Sequence, residues 1–111
     1  MMNMMQIMQQ AQKMQKKFKE TQGELEKAEV ISTSGNGAVT VVLNGQGKFK
    51  SIKLTAEAIN PEAPETVDPE IVELVEDLVT TAILKASMDA TKLMEDKMKA
   101  VTGGINIPGL F

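Results

Sequence analysis

Lysine is the side chain in this sequence with the clearest capacity for chemistry of its own. All twelve cationic residues are lysines, and no arginine is present. Four of them form a cluster in the N-terminal part of the chain: Lys13, Lys16, Lys17 and Lys19. A lysine ammonium is a flexible point charge, which suits it to neutralising phosphate groups rather than to forked contacts with base edges. The cluster is therefore a candidate phosphate contact, and a solvated helix face with Glu20 and Glu24 as partners is the alternative.

Two further groups of lysines could serve the fold itself instead of binding a polyanion. Lys92, Lys97 and Lys99 lie near the end of the last predicted helix, where they either complement the negative helix end or contact a polyanion. Lys48, Lys50 and Lys53 lie on a predicted strand, where lysines guard an open sheet edge.

Charge is unevenly distributed between the two halves of the chain. Residues 1–55 hold eight Lys and four Glu (net +4), and residues 56–111 hold four Lys and eleven acids (net −7).

Catalytic and metal chemistry find no support in the composition. The chain has neither histidine nor cysteine, which removes the usual proton shuttle, the thiolate nucleophile and the commonest metal ligands. Glu73, Glu76 and Asp77 could cluster, but carboxylates on a helix surface are usually solvated. We predict that the protein is not an enzyme and uses no metal, cofactor or small-molecule substrate. No apolar segment is long enough to cross a membrane, so we expect a cytoplasmic protein without a membrane partner.

A heptad pattern positions the first lysine cluster. Apolar residues recur at alternating spacings of three and four, which predicts one helix over residues 3–28 with an apolar seam. The predicted packing seam consists of Met4, Ile7, Ala11, Met14, Phe18 and Leu25. Thr21 is the one polar residue at a heptad position of this pattern, and Gly23 lies off the seam.

The rest of the chain predicts an α+β fold in a single domain, 1–111. Three β-rich runs, 29–33, 38–43 and 48–55, are separated by short turns, which indicates a three-stranded antiparallel meander with a bulge near Lys50 and Ser51. Asn44-Gly45 suits a tight hairpin because it tolerates positive φ angles. Asp68-Pro69 begins a long second helix that runs to about residue 100, with a break over residues 87–90 left open. Gly103 ends it, and residues 102–111 form an apolar tail.

Helix length indicates a homodimer. At 1.5 Å per residue the helices are roughly 39 and 48 Å long, whereas three strands give a sheet only about 15 Å wide. One sheet face cannot cover two such apolar stripes, and the meander also leaves two open edges. A two-fold homodimer addresses both problems, so we expect an α-β-β-β-α homodimer.

Taken together, the segments resemble the YbaB/EbfC family of bacterial nucleoid-associated proteins. The most specific part of the resemblance is the C-terminal segment, residues 102–111. The other parts are the Met/Gln/Lys-rich segment 8–15 of the first helix, the strand and turn segment 35–41, the turn at residues 44–47 and the capped acidic helix that begins at Asp68. It implies a small cytoplasmic homodimer with an α-β-β-β-α order, whose helices project like the arms of tweezers. It also implies binding of duplex DNA, association with the nucleoid, and effects on nucleoid organisation and gene expression.

The prediction is therefore a nucleoid-associated protein that binds double-stranded DNA with low sequence specificity through lysines on projecting helices. The alternative is a protein–protein adaptor that works through the Met-rich helix or the apolar tail without touching DNA.

Overall fold

A computed structural model of the chain describes residues 3–103. The elements follow in chain order: α1 (Met4–Lys27), β1 (Glu29–Ser34), β2 (Val39–Asn44), β3 (Phe49–Leu54), α2 (Ala56–Ile59), a short 3-10 helix (Pro64–Thr66) and α3 (Pro69–Thr102). This order confirms the predicted helix, meander and long second helix. The predicted tail lies outside the described residues beyond Gly103, and Thr102 belongs to α3.

Local hydrogen bonds define where α1 begins. The Asn3 side chain accepts from the Gln6 backbone N–H at 2.8 Å, and the Gln6 side chain accepts from the Asn3 N–H at 3.1 Å. This reciprocal capping box satisfies two of the N–H groups that the first turn of a helix leaves without partners. The helix continues through Gly23 without interruption.

The three strands form one antiparallel sheet in the order β1-β2-β3. Val42 pairs with Ser51 and Leu43 pairs with Phe49, so Lys50 is the extra residue of a bulge, as the sequence predicted. The β2–β3 turn differs from the expectation. Its positive φ lies at Gly47 (83°) rather than at Gly45, because three residues, not two, separate Asn44 from Lys48.

Two capping devices fix the ends of α3. The side chain of its N-cap Asp68 accepts from the Glu70 N–H at 2.9 Å. Pro69 occupies the first turn, where its missing N–H costs no hydrogen bond because first-turn N–H groups have no acceptor within the helix. Gly103 ends the helix in the left-handed conformation, with φ 66°. The break considered over residues 87–90 does not occur: α3 is continuous, and the Thr91 hydroxyl donates to the Ser87 carbonyl at 3.0 Å within it.

The first half of α3 packs against β3. Its half-buried side chains recur at helical spacing and are Val72, Val75, Glu76, Val79, Thr80 and Ile83. Among them the Glu76 carboxylate accepts from the Leu54 backbone N–H at 2.7 Å, with the Lys53 ammonium 4.0 Å away. Glu76 therefore links α3 to the edge strand β3 and gives the Leu54 N–H of that edge a hydrogen-bond acceptor.

No hydrophobic core closes within one chain over the described residues. None of the apolar side chains in 3–103 is buried, and Asn44, at 7% exposure, is the one buried residue of that range. All six residues of β1 are exposed, with Ile31 at 61%. The described chain measures 71 × 33 × 18 Å, which is elongated because long helices extend well past the sheet.

Replacing Glu76 tests the tie between α3 and β3. In Glu76→Ala, the Leu54 N–H loses its partner in a half-buried site, so we expect a loss of about 1–3 kcal/mol of unfolding free energy. Glu73→Ala on the exposed side of the same helix is the matched control, with an expected change within about 0.5 kcal/mol. Urea unfolding followed by circular dichroism measures both, and equal losses would contradict the assigned role.

Candidate nucleic-acid interface

The N-terminal lysines form one continuous charged surface on α1. Lys13, Lys16 and Lys17 are separated by three and four residues, which places them on an arc of roughly 100° of the helix, and Lys19 extends it. All four are exposed. The structure therefore brings the predicted cluster together on one projecting element, which we call the α1 arm (Met4–Lys27).

The charge on the first part of this arm is uncompensated. Residues 3–19 contain four lysines and no acidic residue, so this stretch carries +4. The ion pairs found within residues 3–103 join Lys50 to Glu29 at 3.5 Å and Lys53 to Glu76 at 4.0 Å, and neither involves the arm. Glu20 and Glu24, the partners considered for a solvated face, form no ion pair with these lysines in that range. Free ammonium groups of one sign attract a polyanion at range.

The predicted packing seam runs along the same helix at different positions. All six seam residues are exposed in the single chain, among them Met4 at 80%, Met14 at 75% and Phe18 at 64%. In heptad terms Lys13, Lys16 and Lys19 occupy outer positions of the helix, and Lys17 flanks the seam. Lys13 and Lys17 also border the open groove that follows the apolar stripe. The arm thus carries an apolar face and a basic face side by side.

The lysines predicted on α3 are placed differently. Lys92 and Lys99 are seven residues apart and share a face with Lys85, whereas Lys97 lies about 140° around the helix from Lys92. Three acids, Asp89, Glu95 and Asp96, lie among these four lysines. Residues 85–99 of α3 therefore carry a net charge of +1, against +4 for residues 3–19.

Lys48 is a basic residue whose position the sequence did not reveal. It was expected to guard a sheet edge, but it lies on the β2–β3 turn and lines an open groove with Leu84, Met88 and Lys92 of α3. Sequence spacing gives no signal for this neighbourhood, because residues 44 apart are brought together only by the packing of α3 on the sheet.

Negative charge is concentrated in a different stretch of the chain. Residues 54–84, which span α2, the 3-10 helix and the first half of α3, contain eight acids and no lysine. The acidic stretch therefore includes the part of α3 that packs on β3, whereas the uncompensated lysines lie on the α1 arm.

Two other kinds of site are not found among residues 3–103. No group of three or more potential metal-ligating side chains occurs there. Within that same range, no helix combines the length and the apolar character needed to cross a membrane. Of the three carboxylates considered for clustering, Glu76 is already engaged by the Leu54 N–H and is close to Lys53.

Comparison with known families identifies the family to which the chain belongs. The model of the YbaB/EbfC DNA-binding family matches residues 1–105. The chain belongs to this family. A family defined by DNA binding is not an enzyme class, and the match does not support the adaptor alternative.

Curated relatives agree with the family match. A nucleoid-associated protein of Clostridium kluyveri is 47% identical over 109 residues, which cover 98% of this chain and 89% of the relative. Another, of Chloroflexus aurantiacus, is 42% identical over 110 residues, covering 99% of this chain and 100% of the relative. Among solved structures, an uncharacterized protein of Helicobacter pylori has a TM-score of 0.48 at 21% identity, covering 88% of this chain and 98% of that one.

Neutralising the two lysine groups separately distinguishes the two helices. We expect Lys13→Gln/Lys16→Gln/Lys17→Gln to weaken duplex DNA binding and to lower the slope of log K against log salt by about 0.9 for each phosphate that is no longer neutralised. Lys85→Gln/Lys92→Gln/Lys99→Gln removes the same charge from α3 and is the matched control, with a smaller expected effect. Fluorescence anisotropy on a short duplex measures both. An equal or larger reduction in affinity from the α3 variant would contradict the assignment to α1.

Proposed function

We propose that this protein is a nucleoid-associated protein that binds duplex DNA with low sequence specificity through lysines on the projecting arms of a homodimer. It acts in the nucleoid of a bacterial cytoplasm, where it affects nucleoid organisation and gene expression. The observation that carries the proposal is the uncompensated +4 charge on the exposed first part of the α1 arm. Membership of the DNA-binding family supports duplex DNA as the polyanion.

The mechanism is electrostatic. Each lysine that neutralises a phosphate releases condensed counterions, and this release supplies most of the free energy of non-specific binding. The arm has 24 residues. At 1.5 Å per residue it is about 36 Å long, close to one helical turn of duplex DNA. An arm of this length can lie along about one turn of the duplex. The chain has no arginine to form bidentate contacts with guanine, so these contacts position the protein without specifying a base.

The homodimer supplies a cover for the apolar face of the arm. Burying a large apolar side chain contributes about 1.5–3 kcal/mol, so covering Ile7, Met14 and Phe18 together contributes several kcal/mol. A second arm offers a matching a/d stripe, and an isologous two-fold interface uses the same patch on both copies. Lys13, Lys16 and Lys19 occupy outer heptad positions. They stay accessible when two arms pair, so the dimer carries twice as many exposed lysines as one chain.

Binding to random-sequence duplex DNA tests the DNA part of this proposal. We expect salt-sensitive binding at low ionic strength, with a log–log slope that reflects several phosphate contacts. Affinities for different duplexes of equal length should differ by less than about 100-fold, the effect of one or two mismatched base pairs at a specific site. Fluorescence anisotropy titrations at two or more salt concentrations measure both quantities. A folded protein that does not bind at low salt, or whose affinity ignores salt, would contradict the mechanism.

A charge placed in the seam tests the homodimer. We expect Phe18→Asp to disrupt association, because it puts a charge into an interface formed by apolar side chains. Gln12→Asp adds the same charge at an outer position of the same helix and is the matched control, with association retained. Sedimentation velocity at micromolar concentration gives the masses. An unchanged dimer in Phe18→Asp, or a single-chain mass in the unsubstituted protein, would overturn the proposed interface.

A further inference from the structure

Beyond its covalent link to β1 through Ala28, the α1 arm contacts the sheet at the β2–β3 turn. The Gly45 backbone N–H donates to the Leu25 carbonyl at 2.8 Å. The Gln46 side-chain amide donates to the Gln22 side-chain oxygen at 2.8 Å and to the Gln22 carbonyl at 3.3 Å. Leu25 lies in the last turn of α1, and its carbonyl also accepts from the backbone N–H of the C-cap residue Ala28 at 3.3 Å. The turn therefore gives this terminal carbonyl a second and shorter hydrogen bond from outside the helix.

The turn that makes these contacts is held rigidly by Asn44. The Asn44 side-chain oxygen accepts from the backbone N–H groups of Gln46 at 2.9 Å and Lys48 at 3.0 Å. Its backbone N–H donates to the Lys48 carbonyl at 2.8 Å, and its carbonyl accepts from Gly47 at 3.0 Å. Asn44 is also the most buried residue in the range 3–103. Because the side-chain oxygen of this buried residue accepts two hydrogen bonds from the turn, other conformations of the turn would lose these bonds and are disfavoured.

Glycine at position 45 is required by the close approach of the helix rather than by its own backbone angles. Gly45 is absent from the residues with positive φ, unlike Gly47 in the same turn. A Cβ atom at position 45 would lie 2.8 Å from the Leu25 carbonyl oxygen and 3.1 Å from the Leu25 Cα. Both are backbone atoms, so no side-chain rotation relieves the overlap, and the end of α1 and the β2–β3 turn must move apart.

We propose that Gly45 and Gln46 are positioning residues that set the direction in which the α1 arm leaves the sheet, and through it the placement of the arm's lysines on DNA. The DNA half of this inference rests on the proposed function. Widening the 2.8 Å approach between the new Cβ and the Leu25 carbonyl oxygen to an ordinary contact of 3.4 Å requires a displacement of about 0.6 Å. Applied across the last helical turn of α1, which is about 5.4 Å long, this displacement tilts the arm by roughly 6°. Over the sixteen residues from Leu25 back to Gln9, about 24 Å at 1.5 Å per residue, that tilt moves the helix by about 3 Å.

Spin labels measure the direction of the arm without reference to DNA. The chain has no cysteine, so Gln9→Cys on the arm and Thr33→Cys on β1 give a clean labelled pair. Both positions are exposed. Labelled chains are diluted with unlabelled protein so that distances within one chain dominate the double electron–electron resonance signal. Gly45→Ala should shift the mean distance by about 3 Å, and Gln46→Ala should broaden the distribution because the side-chain tether is removed.

Gly23→Ala is the matched control for these variants. It adds the same methyl group on α1 itself, where the new Cβ meets nothing within 4 Å. Its distance distribution should equal that of the unsubstituted protein. Circular dichroism establishes that each variant is folded, and Gln46→Ala, at an exposed position, keeps the test open if Gly45→Ala is unstable. Unchanged distributions in folded Gly45→Ala and Gln46→Ala would overturn the positioning role whatever the protein does with DNA.

DNA titrations of the same variants test the second half. We expect Gly45→Ala and Gln46→Ala to bind duplex DNA more weakly than Gly23→Ala, with a salt slope lower by about 0.9 for each phosphate that the displaced arm leaves without a lysine. A shifted distance with unchanged DNA affinity would overturn the link between arm direction and binding. Failure of the unsubstituted protein to bind DNA would instead contradict the proposed function, and the distance measurement would still decide the positioning role.

Discussion

The apolar face of the α1 arm is the constraint on which the rest of the structure depends. Caps and turns define each element locally: Asn3 starts α1, Asp68 and Gly103 delimit α3, and the turn glycines connect the strands. Tertiary burial is far less complete, because no apolar side chain of residues 3–103 is buried in the single chain. Folding depends chiefly on removing such surface from water. A fold with well-defined elements and no closed core therefore needs a second surface, and a second copy offers the matching one.

In the proposed function, assembly and DNA binding use different faces of the same helix. The seam residues occupy the a and d positions of α1, and Lys13, Lys16 and Lys19 occupy outer positions. Covering one face leaves the other in solvent, so the two functions do not compete for surface. The acidic elements of residues 54–84 lie beside the sheet, while the uncompensated lysines lie on the arm. This polarity accounts for a protein of net charge −3 that presents a basic surface to a polyanion.

Local patterns predicted most of the fold, and tertiary contacts account for what they missed. Heptad spacing predicted α1, imperfect strand alternation located the bulge at Lys50, and Gly103 marked the end of α3. The break considered in α3 was absent because residues 70–102 contain no glycine or proline. The sequence assigned Gly45 to a φ requirement, whereas its role is the close approach of Leu25. The surroundings of Glu76 and Lys48 were likewise missed, because the Leu54 N–H that Glu76 binds and the α3 residues beside Lys48 come near only when α3 packs on the sheet.

The dependence of stability on protein concentration tests the central claim most directly. If the fold is completed by a second copy, unfolding is coupled to dissociation, and the midpoint of thermal unfolding must rise with concentration. Calorimetry or circular dichroism over about 1–100 µM, a range in which mass action on a dimer changes the midpoint measurably, gives the answer. We predict a midpoint that rises steadily across this range. A constant midpoint, together with a cooperative transition and a single-chain mass, would show that one chain stabilises itself and would contradict the account.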